Sequence, residues 1–360
     1  MKKPPRSDPR GLFDKRCGIE FLCYFTRMEE HRSQIIAAIF PYIMRRTAIV
    51  RENNIKFSHY TSAQSGLEIL RSESVFLRNS VLMNDFSELQ YGQDCLINAY
   101  RSQVGEKLKK IMNSVQEDLS DIIEHNFDLL VQDLRSETYL MSLSEHGSDN
   151  AADSLHEDMF GRLSMWRAYA PKNGVSFIMN NEPFLNETNA LNAYTSPVHY
   201  VSQEEFLLFF EEMVGGFDRV ADIVKLYGGQ YAHDLVMNSF KFLIQSTKHP
   251  SFKEEKEWRI IYDPLHLEKV GLMTDVQKER IPSSIRCLNG IPQKIYEVPF
   301  KNYPEDGMIG STVPELIDKI LIGPSMDGYA ISQAFISELE RLGVQDAVDR
   351  VKLSGVPLRV

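Results

Sequence analysis

Much that would name a function at once is missing from this chain of 360 residues. No stretch approaches the roughly 20 apolar residues needed to span a bilayer. The segment Phe21-Leu22-Cys23-Tyr24-Phe25 is short and runs into Arg27, Glu29 and Glu30. A basic beginning (Lys2, Lys3, Arg6, Arg10) is not followed by an apolar segment and a small-residue cleavage site, so a cytoplasmic location and no membrane partner are expected. Cysteine is scarce: Cys17, Cys23, Cys95 and Cys287 form no CxxC pair, which argues against a zinc ribbon and for reduced thiols. No glycine-rich GxGxxG or GxxxxGK[ST] phosphate loop and no GxSxG nucleophile elbow occurs. Repeats and low-complexity tracts are absent as well.

What is present is ordinary for a globular protein: 43% hydrophobic, 25% charged and 10% aromatic residues. The length permits a large core. Net charge is −10 but uneven. Residues 1–56 hold 12 Lys/Arg against 6 Asp/Glu, a net of +6, which leaves −16 for the remainder. An acidic body disfavours a broad nucleic-acid-binding face and leaves room for one basic groove.

Apolar spacing at Ile35, Ile36, Ile39, Phe40, Ile43 and Met44 predicts a helix over 28–48, behind a Pro- and charge-rich start that is expected to be poorly ordered. Residues 1–50 therefore read as a basic leader with a helix, and 51–360 as a single α+β domain. Strands are predicted at 55–60, 74–78, 139–144, 174–179, 258–262, 295–300 and 317–322. Helical insertions are predicted at about 103–136 and 203–247, the second broken at Gly215-Gly216 and Gly228-Gly229. Residues 145–160 are polar and acidic and read as a mobile loop, and Met83-Asn84-Asp85 as a turn and helix cap. The scattered strands point to a mixed or antiparallel sheet and not to a doubly wound one.

Three separated pieces carry possible chemistry. His59 lies on a predicted strand beside Tyr60 and Thr61, where it could donate to a ribose hydroxyl or pack as a structural histidine. Ser142 and Ser144 are two apart on a strand, so both hydroxyls face one side. Glu255 and Glu257 also share a side if extended, and paired carboxylates can divide acid–base or charge-stabilising roles. The plain alternative is a solvated charge run, although Trp258-Arg259-Ile260-Ile261 follows at once and leads Glu257 toward a buried strand. Trp166 and Tyr169 could stack on a ring, and Arg78, Arg167 and Arg259 could pair with a diphosphate. The spacing of His146, Asp149, Asp153 and His156 matches no metal-ligand pattern, and no metal is expected.

As an ordered set these pieces resemble a known family. His59-Tyr60-Thr61, Leu77-Arg78, Asn84-Asp85 and Glu88 are similar to the opening of the family called domain of unknown function 2971. So are Ser142-Leu143-Ser144, Met165-Trp166-Arg167-Ala168-Tyr169 before Gly174-Val175, and Glu255-Lys256-Glu257-Trp258-Arg259; Ile320 to Pro324 and Ser354 to Arg359 resemble its ending. That resemblance spans about 55–360 and implies a bacterial accessory or defence-associated protein without specifying a reaction. The layout is also similar to that of ADP-ribosyltransferase toxins. That second resemblance implies NAD as substrate, held by His59 with Tyr60, Thr61, Arg78, Trp166 and Tyr169. Ser142 and Ser144 would brace the site, Glu257 would be the catalytic carboxylate, and Glu255 would select the acceptor.

The leading expectation is therefore an NAD-consuming, ADP-ribosyltransferase-like enzyme of toxin or antiphage-defence type. It would pass ADP-ribose to a macromolecular acceptor, protein or nucleic acid, and an inhibitor or partner protein from a defence operon would accompany it. A non-enzymatic nucleotide or nucleic-acid sensing module is the first alternative, and a nuclease is the second.

Overall fold

In a computed structural model, the described residues are 31–356 except 83–85, 148–150, 171, 187, 189, 270–272 and 289. The basic start, the Asn84-Asp85 turn and the end of the chain fall outside them. The helix predicted over 28–48 is two helices, α1 over residues 31–39 and α2 (Pro41–Glu52), because Pro41 occupies the first turn of the second.

The strands are β1 (Lys56–Ser62), β2 (Ser74–Asn79), β3 (Tyr139–His146), β4 (Gly174–Met179), β5 (Tyr194–Pro197), β6 (His199–Tyr200), β7 (Thr247–Lys248), β8 (Glu257–Tyr262), β9 (Ser283–Leu288), β10 (Ile291–Pro299), β11 (Ile317–Ile322) and β12 (Val351–Leu353). Among the described residues ten of them form one sheet, in the order β12-β11-β4-β1-β3-β2-β10-β9, with β8 added on β3 and β5 on β8. All ladders of that sheet are antiparallel except β11–β12, and β6 and β7 make a separate parallel pair. The fold is α+β, as the irregular strand spacing indicated.

Helices α3 (Ala63–Ser72), α4 (Phe86–Tyr100), α5 (Gln103–Val115), α6 (Leu119–Glu137), α7 (Ala151–Phe160), α8 (Leu163–Tyr169), α9 (Gln203–Ser246) and α10 (Gly328–Arg341) complete the frame. Both helical insertions are present, as α5 with α6 and as α9. The break in α9 falls only at Gly228, whose φ of 84° leaves the helical region. At Gly216 the helix continues, because the glycine serves a close approach: a Cβ there would lie 2.0 Å from the Ala38 carbonyl oxygen of α1.

Two apolar cores result. One lies on a single face of the sheet and includes Phe57, Leu143, Phe177, Trp258, Ile260, Ile320 and Phe335. The other joins α1, α4, α5, α6 and α9 through residues such as Ile39, Leu96, Leu108, Phe210, Phe217 and Phe240. The last turns of α9 carry Lys241 and Gln245, both buried, toward β8 instead of further apolar side chains. The seam between sheet and helices is therefore polar.

The segment 145–160 differs from the expected mobile loop. Strand β3 continues through His146, and α7 begins at Ala151. Glu145 is buried, accepts from Nε and Nη2 of Arg46 on α2, and accepts the Trp258 indole N–H at 2.7 Å. Asp158 joins Nε2 of His146 at 3.2 Å and Nζ of Lys319 at 2.6 Å, which ties α7 to β3 and β11 of the sheet. Those two contacts hold the Asp158 carboxyl well below its ordinary range, the His146 hydrogen bond contributing most. Polar composition reflected ion pairing here and not a lack of structure.

Candidate functional site

Strand β3 is the hub. Along one edge it pairs with β8, from Tyr139 opposite Tyr262 to Ser144 opposite Glu257. Along the other edge it meets β1 at Ser144–His146 and β2 at Tyr139–Leu140. Directly opposed residues share a face. Ser58, Ser144 and Glu257 thus form one row, and Ser142 with Arg259 the next. The opposite face presents Met141, Leu143, Trp258, Ile260 and Tyr262 to the apolar sheet core.

The polar face is an ionic network. Glu257 is 4% exposed, and its carboxylate accepts Ser142 Oγ at 2.5 Å, Arg259 Nε at 2.9 Å, Arg259 Nη2 at 3.1 Å and Lys248 Nζ at 3.2 Å. Burial by itself raises the pKa of such a group. The charges of Arg259 and Lys248, with the Arg259 and Ser142 hydrogen bonds, outweigh it and bring Glu257 down to about 2. Lys248 is 1% exposed and also meets Glu255 Oε2 at 2.6 Å, and Tyr169 Oη donates to Glu255 Oε1 at 2.9 Å. Arg259 Nη1 continues to the Gln245 carbonyl at 2.6 Å, and the Glu257 amide donates to Tyr200 Oη at 2.7 Å. Removing two carboxylates from water is tolerable only with this degree of compensation.

Glu255 and Glu257 do not share the face of an extended strand, as the spacing suggested. Glu255 ends a 3₁₀ turn over Pro250–Glu255, Lys256 adopts the left-handed conformation at φ 44°, and Glu257 opens β8. The kink aims the two carboxylates at Lys248 from different directions.

Beside this network an open groove of about 490 Å³ is lined by Arg162, Leu163, Ser164, Arg167, Glu254 and Lys256. Arg162 is fixed: Nη1 donates to Ser144 Oγ at 2.7 Å and to the Glu254 carbonyl at 2.8 Å, and Nη2 donates to the Glu145 carbonyl at 2.8 Å and pairs with Glu157. Lys256 Nζ donates to the Gly147 carbonyl at 3.0 Å. Arg167 is exposed and has no hydrogen bond or ion pair among the described residues.

The structure therefore brings together Ser142, Ser144, Glu255, Glu257 and Tyr169. Tyr60 and Trp166 form the buried floor beneath them, packed edge to face with ring centroids 4.8 Å apart. Tyr60 Oη accepts the Arg162 amide at 2.9 Å, and Trp166 donates to the Phe160 carbonyl at 2.8 Å. Burial pushes the Tyr60 hydroxyl up to about 12. With 1% exposure Trp166 offers no stacking surface, contrary to expectation.

His59 does not join the Glu257 face. It follows Ser58 in an unbroken ladder and lies opposite Phe177 of β4, so the pleat turns it to the apolar side. Its Nδ1 still reaches the Ser142 carbonyl oxygen at 3.3 Å where β1 and β3 part, and burial lowers its pKa. Thr61 lies on the His59 side, opposite Val175. Arg78 sits at the Leu140 end of β3 and donates to Gln293 Oε1 and the Leu82 carbonyl, away from the serines. Lys248, Arg162 and Tyr200 went unnoticed in the sequence. Each is a lone polar residue whose role comes from partners 5 to more than 90 positions away.

The model of the family described as Protein of unknown function (DUF2971) matches residues 165–260, which include Trp166, Tyr169 and the Glu255–Arg259 segment. This agrees with the resemblance read from the motifs. No curated protein and no solved structure matches the chain.

Proposed function

We propose that the chain is a binding module for a phosphate-bearing nucleotide, seated in the groove between α8 and the 250–256 turn. The observation that carries this reading is an imbalance of charge. The carboxylates of Glu255 and Glu257 are already met by Lys248 and Arg259, whereas the open groove is lined by Arg162, Arg167 and Lys256, and only Glu254 and the Glu157 that pairs with Arg162 and lies 4.0 Å from Lys256 oppose them, a surplus of one positive charge. A phosphate placed there meets a planar guanidinium and an ammonium, the donors that bind it best. Isothermal titration with NAD, ATP and AMP tests the reading. Each charge-assisted contact is worth roughly tenfold or more in affinity, so Arg167→Glu and Lys256→Glu should each weaken binding by at least that factor. Equal affinity in wild type and both reversals would refute it.

A second reading is favoured by one arrangement: the Ser-x-Ser strand lies between the His59 strand and the Glu257 strand, and Ser142 touches Glu257. On that reading the chain cleaves the nicotinamide–ribose bond of NAD, Glu257 supports the oxocarbenium-like state, and ADP-ribose goes to water or to a macromolecular acceptor, as in a toxin-type defence effector. It requires ligand-driven release of Glu257 from its two cations and a rearrangement that brings His59 to the same side. Release of nicotinamide by wild type, lost in Glu257→Gln with the protein still folded, would place this reading first.

A further inference from the structure

Two exposed aromatic rings belong to the two segments that line the cationic groove, the helix Leu163–Tyr169 and the turn Pro250–Glu255. Tyr169 closes α8 with 41% of its surface exposed, and its hydroxyl is tethered to Glu255. Phe252, in the 3₁₀ turn, is 44% exposed, and one side of its ring is covered by Lys248 Nζ at 4.8 Å from the centroid. Lys248 in turn holds Glu255, so the two rings bracket a single carboxylate. Both are oriented by polar contacts to a buried network while much of each ring stays open to solvent. Arg167, which is exposed, and Lys256 line the groove itself.

Resting on the reading of this groove as a phosphate site, we infer that its ligand is a single-stranded nucleic acid. Its phosphates would lie along Arg167 and Lys256, and its bases would stack on Tyr169 and Phe252. Cations that follow a backbone beside exposed aromatic rings are the recurring solution for sequence-tolerant single-strand binding, because every base has a stackable face. A duplex hides those faces, and a mononucleotide can use only one ring. The −16 of residues 57–360 is no obstacle: it repels nucleic acid from the rest of that body and, apart from the +6 of residues 1–56, leaves the groove as a place of contact. An acyl surface would be met equally well by aliphatic side chains, whereas a ring tethered by its hydroxyl and a ring with one face on an ammonium present flat surface to flat partners.

The test is fluorescence anisotropy with 3′-labelled dT12 and rU12, a 12-base-pair duplex, AMP as competitor and phosphatidylserine vesicles. The single strands should bind at least tenfold tighter than AMP and the duplex. Two or three phosphate contacts predict a loss of roughly 7- to 20-fold in affinity between 50 and 200 mM salt. Tyr169→Ala and Phe252→Leu should each weaken dT12 by roughly five- to a hundredfold, while Tyr169→Phe and Phe252→Tyr stay within about threefold of wild type. Circular dichroism of each variant separates misfolding from lost stacking. If AMP and dT12 bind equally and the aromatic variants change nothing, the inference fails while the nucleotide reading survives. If neither binds, both fail. Vesicle binding that competes with or exceeds dT12 binding and persists in Phe252→Leu assigns the surface to lipid and overturns the inference.

Discussion

The two faces of the β3–β8 pair are built from alternate residues of the same short segments, yet they follow opposite physics. On one, Met141, Leu143, Trp258 and Ile260 join an apolar core held by removal of surface from water. On the other, Glu257 and Arg259 are equally hidden, with Ser142 half-buried beside them, but held by charge compensation through Lys248. The apolar face needs only shape. The ionic face needs every partner, and it is the one that borders the groove. Chemistry and specificity reside where stability depends on a complete set of contacts.

The largest effects should come from breaking either face at its centre. Trp258→Ala should cost about 3–5 kcal/mol by cavity formation, and Glu257→Gln about 3–5 kcal/mol by stranding two buried cations. The two then part company. Replacing Lys248, Glu257 and Arg259 together with Met, Leu and Met should recover most of the loss, because a matched apolar set removes the desolvation cost. Urea unfolding measures this. A triple variant less stable than Glu257→Gln alone would show that the network contributes more than self-compensation.

Acid should separate the faces next. Burial lowers the His59 pKa from its ordinary 6.5, so the unfolded chain binds that proton more readily. Stability is then intact above about pH 6.5 and falls as the pH drops below it. Glu257 sits near 2 against an ordinary 4.5, so its contribution is complete above about pH 4.5 and is lost between there and 2. That window is worth on the order of 3 kcal/mol. His59→Gln should flatten the first limb and Glu257→Gln the second, as read from unfolding free energies between pH 7 and 3. An unchanged slope below pH 6.5 in His59→Gln would remove His59 from the apolar side of the comparison.

The smallest effect concerns the kink that aims Glu255 and Glu257 at one lysine. Lys256→Gly relieves a left-handed residue while losing the contact to Gly147. Stability should change by less than about 1 kcal/mol in either direction, while nucleotide affinity drops with the lost cation. A loss above about 2 kcal/mol would show that the side chain, and not the backbone, holds the turn.

Particular residues show how far the sequence could be read. Ser142-Leu143-Ser144 and Trp258-Arg259-Ile260 alternate as strands do, so which of them share a face was legible, as were the two helical insertions from their apolar spacing. Trp166 illustrates the opposite case. A tryptophan on a short helix gives no sign of whether it is floor or platform, because that depends on Tyr60, more than 100 positions earlier. In 145–160 the acidic and histidine residues suggested solvent, yet their partners Arg46, Lys319 and Trp258 come from elsewhere in the chain.

The sequence by itself determined the parity of the strands it predicted, the two helical insertions and the acidic body with its few basic clusters, because these depend on neighbours within a few positions. Only the tertiary structure decided how those parities combine. A one-residue difference in register exchanges the two faces of a strand, and the pairing of Ser58 with Ser144 turned His59 away from Glu257. Long-range packing likewise buried Lys248 between two carboxylates, Glu255 of the 3₁₀ turn and Glu257 of β8, with its ammonium over the Phe252 ring.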